Sequence, residues 1–298
     1  MELRAEDAGA RLDEALARSL RTSKSQARKL IVVGAVRVDG RTVRQPARPL
    51  RARARVEAFV RGDALRRPAD RPFEITPAAV LYEDEVLIAL DKPPGLPTPP
   101  TVDPSRPSVV AALHGYLGAK AYVGIHQRLD RETSGVVVFT KHPKANPGLA
   151  RAFAERSIVK VYAALAHAGD DGHPLEWTAT SRLSRGEGTP PRVRVVTEGG
   201  QLAETRFRIE RRLNGAWLVE ARPRTGRKHQ IRVQLAAERA PILGDALYGG
   251  KTEIAGRPVP RVLLHARRLE LVHPLTGQPM TIESPLPEDF SRVLRAMA

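Results

Sequence analysis

His126-Gln127-Arg128-Leu129-Asp130-Arg131-Glu132-Thr133-Ser134-Gly135 runs straight into the apolar stretch Val136-Val137-Val138-Phe139. The apolar run reads as a buried strand, so Asp130, flanked by Arg128 and Arg131, stands at the mouth of that strand. A carboxylate in this setting can be kept ionised and aimed, as attack on carbon requires. The same residues also fit an Asp130 that only shapes a turn and pairs with Arg128 or Arg131.

Outward from this run, the texture alternates between short apolar strands and short helices. Val86-Leu87-Ile88-Ala89-Leu90 is a buried strand, followed by a rigid proline loop over residues 91–100. Residues 108–117 read as a helix, capped by Ser108 and stopped at Gly118. A short helix around residues 148–155 precedes a strand over residues 158–168. Residues 216–223 alternate Trp217, Val219 and Ala221 on one face, as a half-buried strand does, and a helix begins near His229. Residues 169–200, rich in Gly, Pro and Arg, read as loops and irregular strands. No regular βαβ repeat and no fixed internal period are present, which makes the large domain α+β.

The 298 residues suffice for one or two domains, and 42% are hydrophobic, as in an ordinary globular protein. Forty-nine Lys and Arg face 33 Asp and Glu, a net charge of +16. That excess, clustered along the chain, favours a polyanionic partner, with nucleic acid first. There are no cysteines, which excludes disulfides, thiolate metal sites and a Cys nucleophile and fits a cytoplasmic protein. The charged start of the chain has no apolar signal region, and no apolar run approaches the roughly 20 residues of a membrane span.

The first sixty residues form a unit of their own. Leu12, Leu16 and Leu20 line one side of a short helix, and a second starts near Thr22 or Ser23 and ends at Gly34. Lys24 and Arg28 share a face of the second helix, with Lys29 beside them, while Leu30 and Ile31 turn inward. Asp39-Gly40 marks a hairpin that follows Arg37, and a basic alternating segment closes the unit at Phe59. RLDEAL and SKSQARKLIVVGAVRVDG resemble the S-four-type RNA-binding domain, which implies phosphate contacts from Lys24, Arg28, Lys29 and Arg37. The expected organisation is an RNA-binding domain over 1–60, a polar linker over 61–72 and a catalytic domain over 73–298.

Four segments of the large domain belong together: HQRLDRETSG, Lys160-Val161-Tyr162, TGRKHQIR (residues 225–232) and GDALYGG (residues 244–250). With DKPPGL, GGQLAET, LLHARRLELVHP and SPLPEDF, they resemble the RluA-type family of pseudouridine synthases over most of residues 75–290. The resemblance implies a mixed, mainly antiparallel catalytic sheet acting chiefly on large-subunit ribosomal RNA, with transfer RNA the other substrate class. It implies Asp130 as the catalytic carboxylate, Arg232 as its partner, Tyr162 against the target base and Arg128 on the displaced nucleotide or its phosphate. Arg227, in a loop with Lys228, fits a phosphate contact. No cofactor or metal is expected, and the expected state is a monomer.

Bland readings remain beside these. Tyr162 can fill core with its hydroxyl paired, Arg232 can be a surface helix residue and His229 a structural hydrogen bonder, while Lys92 either orients RNA or only braces its proline loop. The chain departs from the family pattern at Gln127, Lys228, Gln234 and the PTPPT loop, which bears on which uridine is chosen. A metal hydrolase lacks an HExxH or Cys ligand set, a nucleotide site lacks its glycine pattern, and a glycosidase has only Glu132 nearby as a second carboxylate. The rival from another class is a non-catalytic RNA-binding or ribosome-assembly protein that has kept the fold.

Overall fold

A computed structural model describes residues 2–4, 9–20, 23–32, 34–52, 54–58, 73–100, 107–168, 173–186, 192–254 and 256–297. The expected linker over 61–72 and the side chain of Lys29 lie outside the described residues. The chain divides into two compact units, Met1–Arg71 and Pro72–Ala298.

The first unit runs β1 (Glu2–Arg4), α1 (Leu12–Ser19), α2 (Lys24–Val32), β2 (Val36–Val38), β3 (Arg41–Thr42) and β4 (Arg55–Ala58). Its sheet has the order β1-β4-β2-β3. Leu12 and Leu16 of α1 meet Leu30 and Ile31 of α2 over Val36 and Val56, all buried. Asp39 and Gly40 both take positive φ, 50° and 75°, as the tight hairpin between β2 and β3 requires. Asp13 of α1 is fully buried and accepts from Arg11 Nε (3.0 Å) and from Arg28 Nε of α2 (2.6 Å). These cations hold its carboxyl well below the usual range, at about 2, against the opposing effect of burial.

The second unit contains β5 (Val80–Glu83), β6 (Leu87–Lys92), α3 (Val109–Leu117), β7 (Gly124–Ile125), β8 (Ser134–Thr140), α4 (Asn146–Ala154) and β9 (Val159–His167). It continues with β10 (Glu176–Arg185), β11 (Val193–Val196), β12 (Gln201–Leu213), β13 (Ala216–Pro223), α5 (Gln230–Ala237), β14 (Glu253–Ile254), β15 (Arg257–Pro258), β16 (Leu264–Val272), β17 (Pro279–Glu283) and α6 (Glu288–Ala296). One sheet has the order β11-β10-β12-β13-β9-β16-β8-β6-β5, with β17 on β16 and β7 on β8. Its pairs are antiparallel except β8 with β16. The architecture is α+β with a mixed, mainly antiparallel sheet.

The strand entered from HQRLDRETSG is β8, and all seven of its residues are buried. Its parallel neighbour comes so close at Gly135 (φ 107°) that a Cβ there would lie 2.2 Å from the Ala266 carbonyl oxygen. Only glycine lets β8 and β16 pair at the point where the Asp130 loop enters the sheet. Helix α3 begins and ends as read: Ser108 Oγ accepts from the Ala111 amide (3.1 Å), and Gly118 takes φ 107°.

Two expectations need correction. Strand β13 is buried on both faces, with only Arg222 exposed, because it lies between β12 and β9 and both sides are covered. Among the described residues of 169–200, β10 is not irregular but a ten-residue strand in continuous register with β12. Its outward residues are polar and only Ala179 and Leu183 are buried, which disguises the period of two.

Candidate active site

The Asp130 loop is anchored from below by bonds to the proline loop rather than by pairing of Asp130 with its flanking arginines. Thr98 Oγ1 bonds both the amide and the carbonyl of Leu129 (3.2 and 3.3 Å). The Arg131 carbonyl accepts from the Gly95 amide (2.8 Å) and from Lys92 Nζ (3.1 Å). Lys92 is fully buried and also donates to the carbonyls of Pro93 and Leu96 (2.8 and 2.9 Å). Burial pushes its pKa down to about 7, and all three ammonium protons find carbonyl acceptors. Lys92 therefore braces the proline loop against the Asp130 loop. Arg131 turns away, donating to the Gly95 carbonyl at 2.9 Å.

Asp130 faces α5 instead. Arg232 NH1 lies 3.5 Å from Asp130 Oδ2, and His229 Nε2 lies 3.9 Å from the same oxygen. Arg232 is buried, not a surface residue, and its closer partner is Asp245, met by Nε at 2.6 Å and NH2 at 2.8 Å. Burial opposes the charge of Arg232, but the bonds and charge of Asp245, then the charge of Asp130, hold its pKa above the ordinary value. The guanidinium also stands 5.1 Å from the centre of the Tyr248 ring.

Helix α5 can place Arg232 because polar side chains satisfy its buried surroundings. Gln230 Nε2 donates to the Glu204 carbonyl and to Thr205 Oγ1, and Thr225 Oγ1 donates to Gln230 Oε1. Gln234 Nε2 donates to the carbonyls of Ala179 and Ala203, and Thr205 Oγ1 donates to Gln234 Oε1. Gln234 is buried and knits the helix to β10 and β12. Without such bonds, amides at this depth would destabilise the fold.

Strand β9 places Lys160 and Tyr162 on one face by its period of two. Tyr162 is half-buried, and its hydroxyl makes no hydrogen bond among the described residues. Burial, then the charge of Asp130, raises its pKa, so the phenol stays protonated. Lys160 Nζ reaches the Thr225 carbonyl (3.4 Å).

These groups enclose a cleft of about 620 Å³, lined by Asp130, Tyr162, Arg232, Arg128, Arg227 and His229 together with the Pro97–Pro99 segment, Gln127 and Phe153. That size suits a nucleotide. Arg128 is exposed at the cleft and has no ion pair among the described residues. Arg227 is half-buried and donates through Nε to the Leu202 carbonyl (3.1 Å), so part of its capacity is structural. His126 bonds Thr140 and Asn146 (3.3 and 3.2 Å). The buried Gln127 amide nitrogen has no partner among the described residues.

In the first unit the structure ties up two expected phosphate ligands. Lys24 pairs with Glu14 at 2.5 Å and Arg28 with Asp13 at 2.6 Å, although both cations keep exposed surface. Arg37 stands opposite Glu57 across β2 and β4. Sequence reasoning missed Asp245 and Tyr248 as members of the site. The signal was present in Pro241-Ile242-Leu243-Gly244-Asp245, an acid in an apolar and glycine setting that demands a buried cation.

The sequence profile of the family described as RNA pseudouridylate synthase matches residues 86–237. The chain belongs to that family. A second profile, the S4 domain, matches residues 10–56. Ribosomal large subunit pseudouridine synthase D of Zymomonas mobilis is 32% identical over 97% of this chain and 94% of its own. The protein of the same description from Xylella fastidiosa is 34% identical over 97% of this chain and 89% of its own. Among solved structures, human RNA pseudouridylate synthase domain containing 4 superposes with a TM-score of 0.60 at 25% identity, covering 73% of this chain and 92% of that one. This pseudouridine synthase thus joins an RNA-binding S4 domain to a catalytic unit of the RluA type.

Proposed function

We propose that this synthase converts uridine to pseudouridine in 23S ribosomal RNA, with Asp130 as the catalytic carboxylate. One observation carries the reading: Asp130 shares a nucleotide-sized cleft with Arg232 at 3.5 Å and with Tyr162, whose hydroxyl has no partner among the described residues. The description of the relatives as acting on the ribosomal large subunit supports the substrate.

The reaction breaks the C1′–N1 bond of uridine, turns the freed uracil and joins its C5 to C1′. The C5 proton departs and N1 gains one. The Asp130 carboxylate attacks C1′ or removes a proton from C2′; both routes need it ionised beside the ribose. Arg232 aims it. Tyr162 supplies a flat face for the extruded base, whose removal from its stack costs a few kcal/mol. Arg128 and Arg227 take neighbouring phosphates. Residues 1–60 serve as the RNA-docking domain through Lys24, Arg28, Lys29 and Arg37, and residues 73–298 as the catalytic domain, joined by 61–72. The enzyme works as a cytoplasmic monomer without metal or cofactor.

The test is sequencing of 23S ribosomal RNA after incubation with purified protein and a pseudouridine-specific chemical label. A new labelled position is expected. Asp130→Asn should bind the same RNA within about twofold and lose turnover by at least roughly 10³-fold. A folded protein that binds but labels no uridine in ribosomal or transfer RNA would favour binding without chemistry.

A further inference from the structure

His229 occupies an unusual backbone position. It caps α5 in the left-handed region, with φ 55° and ψ 19°, a conformation uncommon outside glycine that Asn, Asp and His enter more readily than other residues. The turn sends the imidazole into the cleft, where Nε2 comes within 3.9 Å of Asp130 Oδ2. The other ring nitrogen, Nδ1, lies 2.8 Å from the Tyr248 hydroxyl. That hydroxyl also accepts from the Val193 amide at 3.0 Å, a group that can only donate. Among the described residues, the phenol proton therefore has one acceptor, Nδ1. A neutral imidazole bonded in this way carries its own proton on Nε2, on the side of Asp130. Burial favours that neutral form, the charges of Arg232 and Lys228 favour it further, and Asp130 opposes it.

Asp130 must touch C1′ or C2′ of the target ribose by either chemical route. A hydrogen-bond donor 3.9 Å from its carboxylate oxygen therefore meets the sugar rather than the uracil. The polar group on C2′, next to both reacting carbons, is the 2′-hydroxyl. We propose that His229, held by Tyr248, donates from Nε2 to the 2′-oxygen of the target nucleotide and makes the site selective for ribose over deoxyribose. This inference rests on the reading of Asp130 as the catalytic group.

The experiment pairs enzyme and substrate changes in single-turnover assays. The substrates are two RNA oligonucleotides spanning the labelled uridine, one all-ribose and one with a single 2′-deoxyuridine at the target. The enzymes are wild type and His229→Asn, which tolerates the left-handed backbone and loses the group facing Asp130. Wild type should convert the deoxy substrate roughly tenfold or more slowly, the worth of one hydrogen bond. His229→Asn should be slower on ribose, with that ratio falling towards one. A wild type indifferent to the 2′-hydroxyl, or a variant keeping the full ratio, overturns the proposal. If His229→Asn does not fold, Tyr248→Phe should shrink the ratio by freeing Nδ1 to take the proton, and an unchanged ratio there counts equally against it. Failure of wild type on the all-ribose oligonucleotide overturns the catalytic reading itself, and this inference with it.

Discussion

Arg232 is shared unequally between two carboxylates. Asp245 takes two short, parallel bonds at 2.6 and 2.8 Å, and Asp130 takes one nitrogen at 3.5 Å. The buried acid thus satisfies most of the guanidinium and fixes its plane, while Asp130 receives only one long contact from it. Asp245→Asn should cost roughly 3–5 kcal/mol of stability in a denaturant titration, because it leaves a buried cation under-compensated. It should also lower kcat by far more than it raises KM. A loss below about 1 kcal/mol would mean that Asp245 does not carry this charge. At this scale the sequence was half legible. Asp130 announced itself through its motif, whereas its pairing with α5 rather than with Arg128 or Arg131 depends on residues a hundred positions away. The choice for Lys92 between bracing and contacting RNA was equally hidden until its three carbonyl acceptors were brought together.

Among the elements, β8 and β16 set the site, since their close approach decides where the Asp130 loop leaves the sheet. Gly135→Ala should destabilise the protein by roughly 2–5 kcal/mol, combining a strained positive φ with a clash against a backbone carbonyl that cannot rotate away. Thermal unfolding measures it, and near-wild-type stability would contradict the close approach. In the S4 unit, Asp13 joins α1 to α2 through Arg11 and Arg28. Its folded pKa, about 2, lies below the ordinary carboxylate value of 3.8. Its contribution is therefore complete above about pH 4 and fades as pH falls towards 2. Amide exchange in α1 and α2 should accelerate over that window in wild type and show no such step in Asp13→Asn. Strands β6 and β8 and helix α3 were legible because apolar runs and caps are local signals. Strand β13 was misread because its neighbours, not its own residues, decide which faces are covered, and β10 because its mostly polar residues hide the period of two.

For the molecule as a whole, the net charge of +16 and the S4 domain point to the same polyanion. Deleting residues 1–71 leaves a unit with its own hydrophobic clusters, and that unit should still fold. It should bind ribosomal RNA more weakly, with a shallower slope of log affinity against log salt, because fewer phosphates are neutralised. Filter binding from about 50 to 200 mM salt reads the slope. Equal slopes for the two proteins would remove the docking role from the first unit. With Lys24 and Arg28 already paired to Glu14 and Asp13, the loss should come from the whole basic surface rather than from any one cation.

The amino-acid sequence by itself determined the two-part organisation, the α+β class, the family and the acid around which the chemistry is proposed. Those features are written in short segments: apolar periods, caps, turn residues and motifs whose members are neighbours along the chain. The family resemblance already named Arg232 as the partner of Asp130; only tertiary structure added that Asp245 holds that arginine and that His229 faces the same carboxylate oxygen. Arg232 and His229 come to Asp130 from the start of α5, Tyr162 lines the same cleft from β9, and Asp245 fixes Arg232 from a further loop, an arrangement of long-range contacts that residue order does not specify.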